Sequence, residues 1–492
     1  MTDQTGEPVG TTSGAATAKA LQALFAGAED FCCRELTVRG ARVQVCYLDG
    51  ITAGGEIASL ILRPLCTALR PGTAEELYAQ ALAGALWPAD VSACGNAGQA
   101  ADRLVNGCCT VIFAGVGALA CEVKSPERRG ISPPEVENTA KGAKDSFTET
   151  LRTNTALVRR HLRTPALRLW RTVVGRRSRT AVDVVYLAGL TDPALVRAVK
   201  RRLAQLDIDG LTTPAAVEEY LTGSRATAFP LLQSTQRTDR FATALLAGRL
   251  GILVDGLPVG WLAPVNLGYL MSAAEDRGTD YLSASFVRLL RYGALLTALL
   301  LPALYVAMAE FHQEMIPTAL LQAMIESKQR VPFPTVLEVL GLLLAFEILQ
   351  EAGTTLPQAI SQTVSIIGGL VVGTAAVEAN LISPAALIVV AVAGICGFAL
   401  PAKELTDAIR LWRLGLAVAA SFAGLFGLTL GLLALTVRLA SLESFGLAYL
   451  APFSGLHAGA LIRPRLCRQR QRDPALHPLD PINQSPQKAN ET

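Results

Sequence analysis

Histidine is scarce, with only 4 residues scattered along 492 positions and no ligand cluster among them. A zinc site or other imidazole-held metal centre is therefore not expected. Ten cysteines are present, eight of them before residue 122, including the adjacent pairs Cys32–Cys33 and Cys108–Cys109. None is arranged as C-x-x-C. Buried thiols in a reducing compartment stay free and pack as small hydrophobes, which is the expectation here, with a metal or redox role as the alternative. The phosphate-cradling G-x-x-x-x-G-K-[ST], the nucleophile elbow G-x-S-x-G and the metalloprotease H-E-x-x-H are all missing. No enzyme activity, catalytic residue or cofactor is expected. Asp207-Ile-Asp209-Gly210 has the look of an acidic metal-binding turn but lacks the further acids of a calcium loop, so it reads as a helix end running into a turn. The first 20 residues have no basic stretch leading into an apolar core, so the N-terminal half is expected to remain in the cytoplasm.

What the chain does have is a run of long apolar segments over Gly293–Val437, after some 290 residues of ordinary soluble character. Apolar stretches of about 18 or more residues are long enough to cross the hydrocarbon core of a bilayer. The expected fold class is an α+β soluble half made of two similar α/β subdomains, followed by an all-α transmembrane domain. The expected boundaries are a disordered 1–25, a first subdomain 26–123, a linker and basic helical segment 124–180, a second subdomain 181–285, the transmembrane domain 286–440 and a cytoplasmic tail 441–492.

The two subdomains are inferred from an internal echo. Val43-Gln-Val45-Cys-Tyr47-Leu48-Asp-Gly50-Ile-Thr52 returns 139 residues later as Val182-Asp-Val184-Val-Tyr186-Leu187-Ala-Gly189-Leu-Thr191. Both copies alternate like a strand, stop at glycine and run into a helical pattern, Glu56–Leu69 and Pro193–Leu206. A second echo, Gly107–Gly115 and Gly248–Gly256, is offset by 141 residues. Residues 124–144, rich in proline, glycine and charge, mark the boundary.

Between Leu151 and Val182 there are nine arginines and no acid. One reading is a solvated helix and turn. The other is a docking surface, for anionic lipid or an acidic partner, built from Arg159, Arg160, Arg163, Arg176 and Arg177. A membrane tether argues against nucleic acid as the partner.

Arg288 and Arg291 precede the first span, Gly293–Ala309, and set its entry side in the cytoplasm. Pro302 is expected to kink it. Three further spans are Ile360–Val377, Ile382–Leu400 and Leu414–Val437, and arginines at 463, 465, 468, 470 and 472 favour a cytoplasmic C-terminus. Thr335–Gln350 is short and carries Glu338 and Glu347 on opposite helix faces, so it is expected to be re-entrant or interfacial, leaving four spans. Five spans with an external tail is the alternative. Within Ile360–Val377, Ser361, Ser365, Gly368, Gly369, Val372 and Ala376 share one face. Small residues there suit close helix packing, and equally a pore lining with Val372 as its constriction. Glu310, His312 and Glu314 just beyond the first span form a candidate polar collar at a pore mouth, or ordinary boundary polarity.

Several segments together resemble the A-subunits of GerA-type spore germination receptors and the related stage V sporulation AF-type proteins. They include Ser146-Phe-Thr-Glu-Thr-Leu-Arg-Thr-Asn154, Val174-Gly-Arg-Arg-Ser178, Ser285-Phe-Val-Arg-Leu-Leu-Arg-Tyr292, Phe311-His-Gln-Glu-Met-Ile-Pro-Thr318, Val331-Pro-Phe-Pro334 and Ala375-Ala-Val-Glu-Ala379. The resemblance covers residues 140 to 470 and is weaker over 20–125. Arg237-Thr238-Asp239 stands where an Arg-Pro-Asp turn is expected. The resemblance implies a multi-pass subunit in the inner membrane of bacterial endospores, forming a ring, with a pentamer expected, around a cation-conducting pore. A permease-like B-subunit that binds nutrient and a lipoprotein C-subunit are the implied partners. The alternatives are a non-conducting scaffold for the other subunits, or an AF-type channel acting without its own nutrient receptor.

Overall fold

The computed structural model describes residues 14–124, 144–223, 227–355 and 373–450. The chain divides into two compact units. The first takes the chain up to residue 264, apart from 225–231, and the second takes residues 265–450 together with 227–231.

The first unit contains two five-stranded sheets. One has β1 (Phe31–Val38), β2 (Ala41–Leu48), β3 (Val91–Cys94), β4 (Cys108–Phe113) and β5 (Gly117–Glu122) in the order β1-β2-β4-β5-β3. The other has β6 (Leu167–Val174), β7 (Thr180–Leu187), β8 (Gln233–Thr235), β9 (Leu250–Val254) and β10 (Gly260–Ala263) in the order β6-β7-β9-β10-β8. Strand for strand the orders are the same, and all pairings are antiparallel. The echoed segments are β2 and β7, then β4 and β9. Their glycines recur because the backbone requires them: Gly50 and Gly189 have φ of 92° and 81°, and Gly107 and Gly248 have 88° and 82°. At such angles a Cβ is strained, so the turns keep glycine in both copies.

Helices lie against both sheets. In the first half these are α1 (Ala18–Leu24) and α2 (Ala97–Val105); in the second they are α3 (Leu151–His161), α4 (Pro193–Gln205) and α5 (Thr238–Leu246). The core of the first half alternates along its strands. Cys46 and Leu48 pack with α1 and α2, while Val43, Val45, Cys109 and Cys121 face Ile57, Ile61 and Leu65. The boundary expected for the second half shifts. The stretch 124–180, expected as linker and basic helical segment, holds the helix α3 and also the edge strand β6. Charge breaks the alternation of the strand, since Arg168 (half-buried) and Arg171 (exposed) fall on opposite faces of β6.

The second unit is helical. Besides the short helix Leu267–Leu270, its described α-helices are α6 (Tyr281–Phe311), α7 (Thr318–Lys328), α8 (Thr335–Thr355), α9 (Gly373–Glu378), α10 (Pro384–Phe398) and α11 (Lys403–Ser441). Two of them, α6 and α11, are long and apolar enough to cross a membrane. α6 contains the expected first span and continues through Pro302. α8 is longer than the sequence suggested, at 21 residues, or about 31 Å at 1.5 Å per residue. The expected span Ile360–Val377 lies outside the described residues up to 372, and Ile382–Leu400 corresponds to the 15-residue α10.

The expected single span Leu414–Val437 is corrected. The helix reverses at Ala423–Gly424, where φ/ψ are −138°/18° and 59°/−136°. A Cβ on Gly427 would meet the Ala419 carbonyl, and one on Gly431 would come 2.6 Å from the Leu416 side chain. Residues 8 and 15 apart on a straight helix stand about 12 and 22 Å apart, so the two arms fold back on each other. Small residues along the seam permit that approach.

Candidate functional site

Within the helical unit the apolar side chains and the charges are arranged inside out relative to a soluble protein. Large apolar side chains are exposed, among them Phe286, Leu296, Leu344, Ile388, Ile395, Phe422 and Phe426. Charged side chains are buried, among them Glu338 and Arg413, each 3% exposed.

These charges form two groups on α8. Towards its N-terminus, the Glu310 carboxylate at the end of α6 accepts the Thr335 N–H (3.0 Å), one of the free donors of the first turn of α8. It also faces Lys328 Nζ at 3.3 Å. One turn along, Glu338 accepts the Ser383 N–H at 2.8 Å. Ser383 caps α10 through its hydroxyl, which accepts the Ala386 N–H at 3.3 Å. Glu338 therefore sits at the N-terminal end of α10, where the helix dipole complements a carboxylate. Its Oε1 has no hydrogen-bond partner among the described residues.

The second group is nine residues further along α8. Glu347 forms ion pairs with Arg410 and with Arg413 (2.5 Å), both in the first arm of α11. Arg410 also reaches Asp407 at 2.9 Å. Glu338 and Glu347 are thus compensated from neighbouring helices, as buried charges away from water require.

The helix ends assort consistently. Gly424, at the reversal of α11, lies against Phe311 and His312 at the end of α6. At the opposite end of α6, Arg291 is buried and holds both oxygens of Asp276 at 2.8 Å. The chain beyond α11 returns to the same neighbourhood as residues 229–231 and 265–267. Tyr449 accepts the Leu267 N–H through its carbonyl (2.9 Å), the Ser444 hydroxyl accepts the Val265 N–H (3.0 Å), and Trp412 stacks on Phe229.

Of the expected collar, Glu310 is engaged as described, His312 Nδ1 lies 3.4 Å from the Ala307 carbonyl, and Glu314 is exposed in a short turn of 3-10 helix. Of the expected pore face, Ser361, Ser365, Gly368, Gly369 and Val372 lie outside the described residues, and Ala376 is half-buried in α9.

The arginine-rich segment has an unexpected fate. Arg159 is 1% exposed, and its guanidinium grips both Asp30 oxygens at 2.7 Å. It is removed from any docking surface, because the second half of the soluble unit uses it to hold the first. Arg152 pairs with Asp49 (2.8 Å), Arg171 with Asp183 (2.7 Å), Arg176 with Asp207 and Arg177 with Asp209 (3.7 Å). Arg163 is exposed and reaches Asn106 Oδ1 at 3.3 Å, and Arg160 is half-buried. The window 151–182 lacks acids only in sequence; its partners come from elsewhere in the chain. The turn Asp207–Gly210 accordingly serves as the docking point for Arg176–Ser178, whose N–H groups donate to the carbonyls of Ile208 and Asp209.

A smaller polar cluster closes the second half. Asp145 Oδ2 accepts from His161 Nε2 (2.7 Å) and the Thr238 hydroxyl (2.5 Å). Burial pushes the Asp145 carboxyl up, but the His161 and Thr238 hydrogen bonds outweigh it and leave it at about 2. The same hydrogen bond raises His161, against the opposing effect of burial. Among the described residues there is no group of three or more His, Cys, Asp or Glu placed to hold a metal ion.

The family profile described as Bacillus/Clostridium GerA spore germination protein matches residues 19–475. The chain is 36% identical over 411 residues to the uncharacterized membrane protein YfkQ of Bacillus subtilis, covering 83% of this chain and 80% of that one. It is 38% identical over 337 residues to spore germination protein KA of Bacillus subtilis, covering 68% of this chain and 62% of the other. It is 34% identical over 360 residues to spore germination protein XA of Bacillus anthracis, covering 72% and 73%. A crystal structure of the N-terminal domain of the A subunit of the Bacillus megaterium spore germinant receptor GerK3 matches with a TM-score of 0.38 at 25% identity, covering 50% of this chain and 92% of that one. The chain belongs to the GerA family of spore germination proteins.

Proposed function

We propose that the protein is the membrane subunit of a nutrient-responsive spore germination receptor. In this reading it assembles with copies of itself, as a pentamer, into a ring around a cation-conducting pore in the inner spore membrane. A permease-like B-subunit supplies the nutrient signal, and a lipoprotein C-subunit completes the receptor. The observation that carries the membrane part is the inverted helical unit, with exposed Phe286, Ile395 and Phe422 around buried Glu338 and Arg413. A surface of that kind belongs against lipid or against another apolar subunit.

The assorted helix ends support a count of six passes rather than four. α6 runs from the Arg291 end to the Phe311 end. α8 returns, since Glu310 meets its start and Glu347 meets the start of α11. In this reading a third pass precedes Ser383, because that residue meets Glu338 near the start of α8. α10 returns again, and the two arms of α11 make the fifth and sixth passes. An even number keeps both ends on the cytoplasmic side, in keeping with Arg288 and Arg291. The stripe Ser361, Ser365, Gly368, Gly369, Val372 and Ala376 of the expected span Ile360–Val377 is the pore lining in this reading. Arg160, Arg163, Arg176 and Arg177 remain the soluble unit's candidates for contact with the inner leaflet or an acidic partner.

The receptor reading is tested in sporulating cells of the source organism. Spores lacking the protein should lose or slow their response to at least one nutrient mixture, and regain it on complementation. Unchanged germination in every mixture, with the protein verified in wild-type spores, would remove it. Impermeant thiol labelling of single cysteines placed at the exposed residues 423 and 403 tests the pass count. Residue 423 should label from outside and 403 should not.

A further inference from the structure

The inference concerns the first half of the soluble unit and does not depend on the receptor reading. β1 and β2 form a hairpin closed by Arg39 and Gly40, with φ of 52° and 91°. Two positive values are the mark of a two-residue type I′ turn, whose flanking pair, Val38 and Ala41, is hydrogen-bonded. The other end of the ladder gives the same phase, because Asp49 N–H donates to the Asp30 carbonyl at 2.8 Å. Hydrogen-bonded and non-hydrogen-bonded pairs alternate along an antiparallel ladder. Counting from either end, Cys33 and Cys46, which are direct register partners, fall on a non-hydrogen-bonded pair. There the Cα atoms are about 4.5 Å apart and the side chains lie closest, within the span a disulfide bridges without backbone movement. The two Sγ atoms are in fact 2.8 Å apart.

The pair is also asymmetric. Cys33 is on the edge strand of its sheet and partly exposed, while Cys46 is buried behind it. The hydrogen bond from Cys46 holds the Cys33 thiol below the usual range, against the opposing effect of burial, and pushes Cys46 up. The nearby register pair Cys109–Cys121 is buried on both sides, and burial raises both thiols.

We propose that Cys33 and Cys46 form a peroxide-sensitive dithiol, with Cys33 the attacked thiol and Cys46 the resolving one. Cys33 thiolate attacks a peroxide oxygen, the O–O bond breaks, and Cys33 becomes a sulfenic acid with release of hydroxide. The Cys46 sulfur then attacks the Cys33 sulfur, expelling the sulfenic oxygen, which leaves as water with the Cys46 proton. In sum two thiols and one hydrogen peroxide give one disulfide and two waters. The product staples the hairpin whose base carries Asp30 and Asp49, the acids that hold Arg159 and Arg152.

The test uses the full chain in nanodiscs, reduced, freed of reductant, and treated with hydrogen peroxide before alkylation and digestion under non-reducing conditions. The expected product is a Cys33–Cys46 linked peptide, formed at least tenfold faster than any other cysteine crosslink and reversed by dithiothreitol. In Cys46→Ser, Cys33 should instead accumulate as a dimedone-trapped sulfenic acid. In Cys33→Ser, neither product should form. Separate alkylation of Cys33 and Cys46 after peroxide, or a Cys109–Cys121 link forming as fast, overturns the proposal. So does the absence of dimedone adduct at Cys33 in folded Cys46→Ser.

Discussion

Arg159→Ala strikes the contact that ties the two halves of the soluble unit together. Asp30, at the entry to β1, and Arg159, on α3, are 5% and 1% exposed at their side chains. The pair lies in a wider seam. Glu29 N–H donates to the Leu169 carbonyl, the Glu29 carboxylate accepts the Arg171 N–H, and Arg168 donates to the Leu24 carbonyl. Removing the guanidinium deletes two 2.7 Å charge-assisted hydrogen bonds and leaves a carboxylate with nothing opposite it. Such half-deletions of buried pairs cost about 3–5 kcal/mol. For a unit of this size about 2–4 °C accompanies each kcal/mol, so the midpoint of the soluble unit should fall by roughly 6–20 °C. Unfolding followed through tryptophan emission in a Trp412→Phe background reads this unit, which holds Trp87, Trp170 and the fully buried Trp261, rather than the helices. Asp30→Ala should cost less than Arg159→Ala, because it leaves the more weakly hydrated ion. The double variant should fall short of the sum by about 2–3 kcal/mol. A loss below about 1 kcal/mol for Arg159→Ala, or simple additivity, would refute the assignment of this pair as the main tie.

Three further outcomes follow. The Asp145–His161 pair sets a pH window. Asp145 lies at about 2, so its contribution is complete above its ordinary value and fades as pH falls through 2, whereas raised His161 contributes below its ordinary value and fades as pH climbs through its raised one. The stability advantage of the native chain over His161→Ala should therefore peak between about pH 4 and 6.5 and shrink towards pH 9; a constant difference across that range would contradict it. Gly427→Ala drives a Cβ into the Ala419 carbonyl and should abolish recovery of monodisperse protein, while Gly415→Ala, which meets nothing within 4 Å, should be recovered normally; equal recovery would refute the hairpin. Glu347→Ala strands the buried Arg413 and should cost several kcal/mol, seen as lost folded yield, with partial recovery in Glu347→Ala/Arg413→Leu; full yield of the single variant would show that the pair carries no load.

The repeated sheets were legible because strand alternation and left-handed glycines such as Gly50 and Gly189 are written locally. The charge pairs were not, since Asp30 and Arg159 lie 129 residues apart and Glu347 and Arg413 lie 66 apart. No window covers both members, so Arg159 read as a surface charge and Glu347 as a misfit in a membrane helix. The reversal in α11 was hidden for another reason. Both arms have the same apolar composition, and only the small residues Ala419, Gly424, Gly427 and Gly431 distinguish a folded-back seam from a straight span. Glu338 and Ser383 show the intermediate case, with the carboxylate noticed in sequence but its compensating helix end not.

The central claim is conduction, and cation flux through liposomes carrying the purified protein tests it most directly. The native chain should be largely closed without its nutrient-sensing partner. Val372→Ala, which trims the proposed hydrophobic constriction, should leak monovalent cations well above empty liposomes, while Leu370→Ala, about 160° from Val372 at about 100° per helical residue, should stay tight. Absence of flux from folded, oligomeric Val372→Ala protein, or a leak from Leu370→Ala alone, would contradict the pore and leave the protein a scaffold.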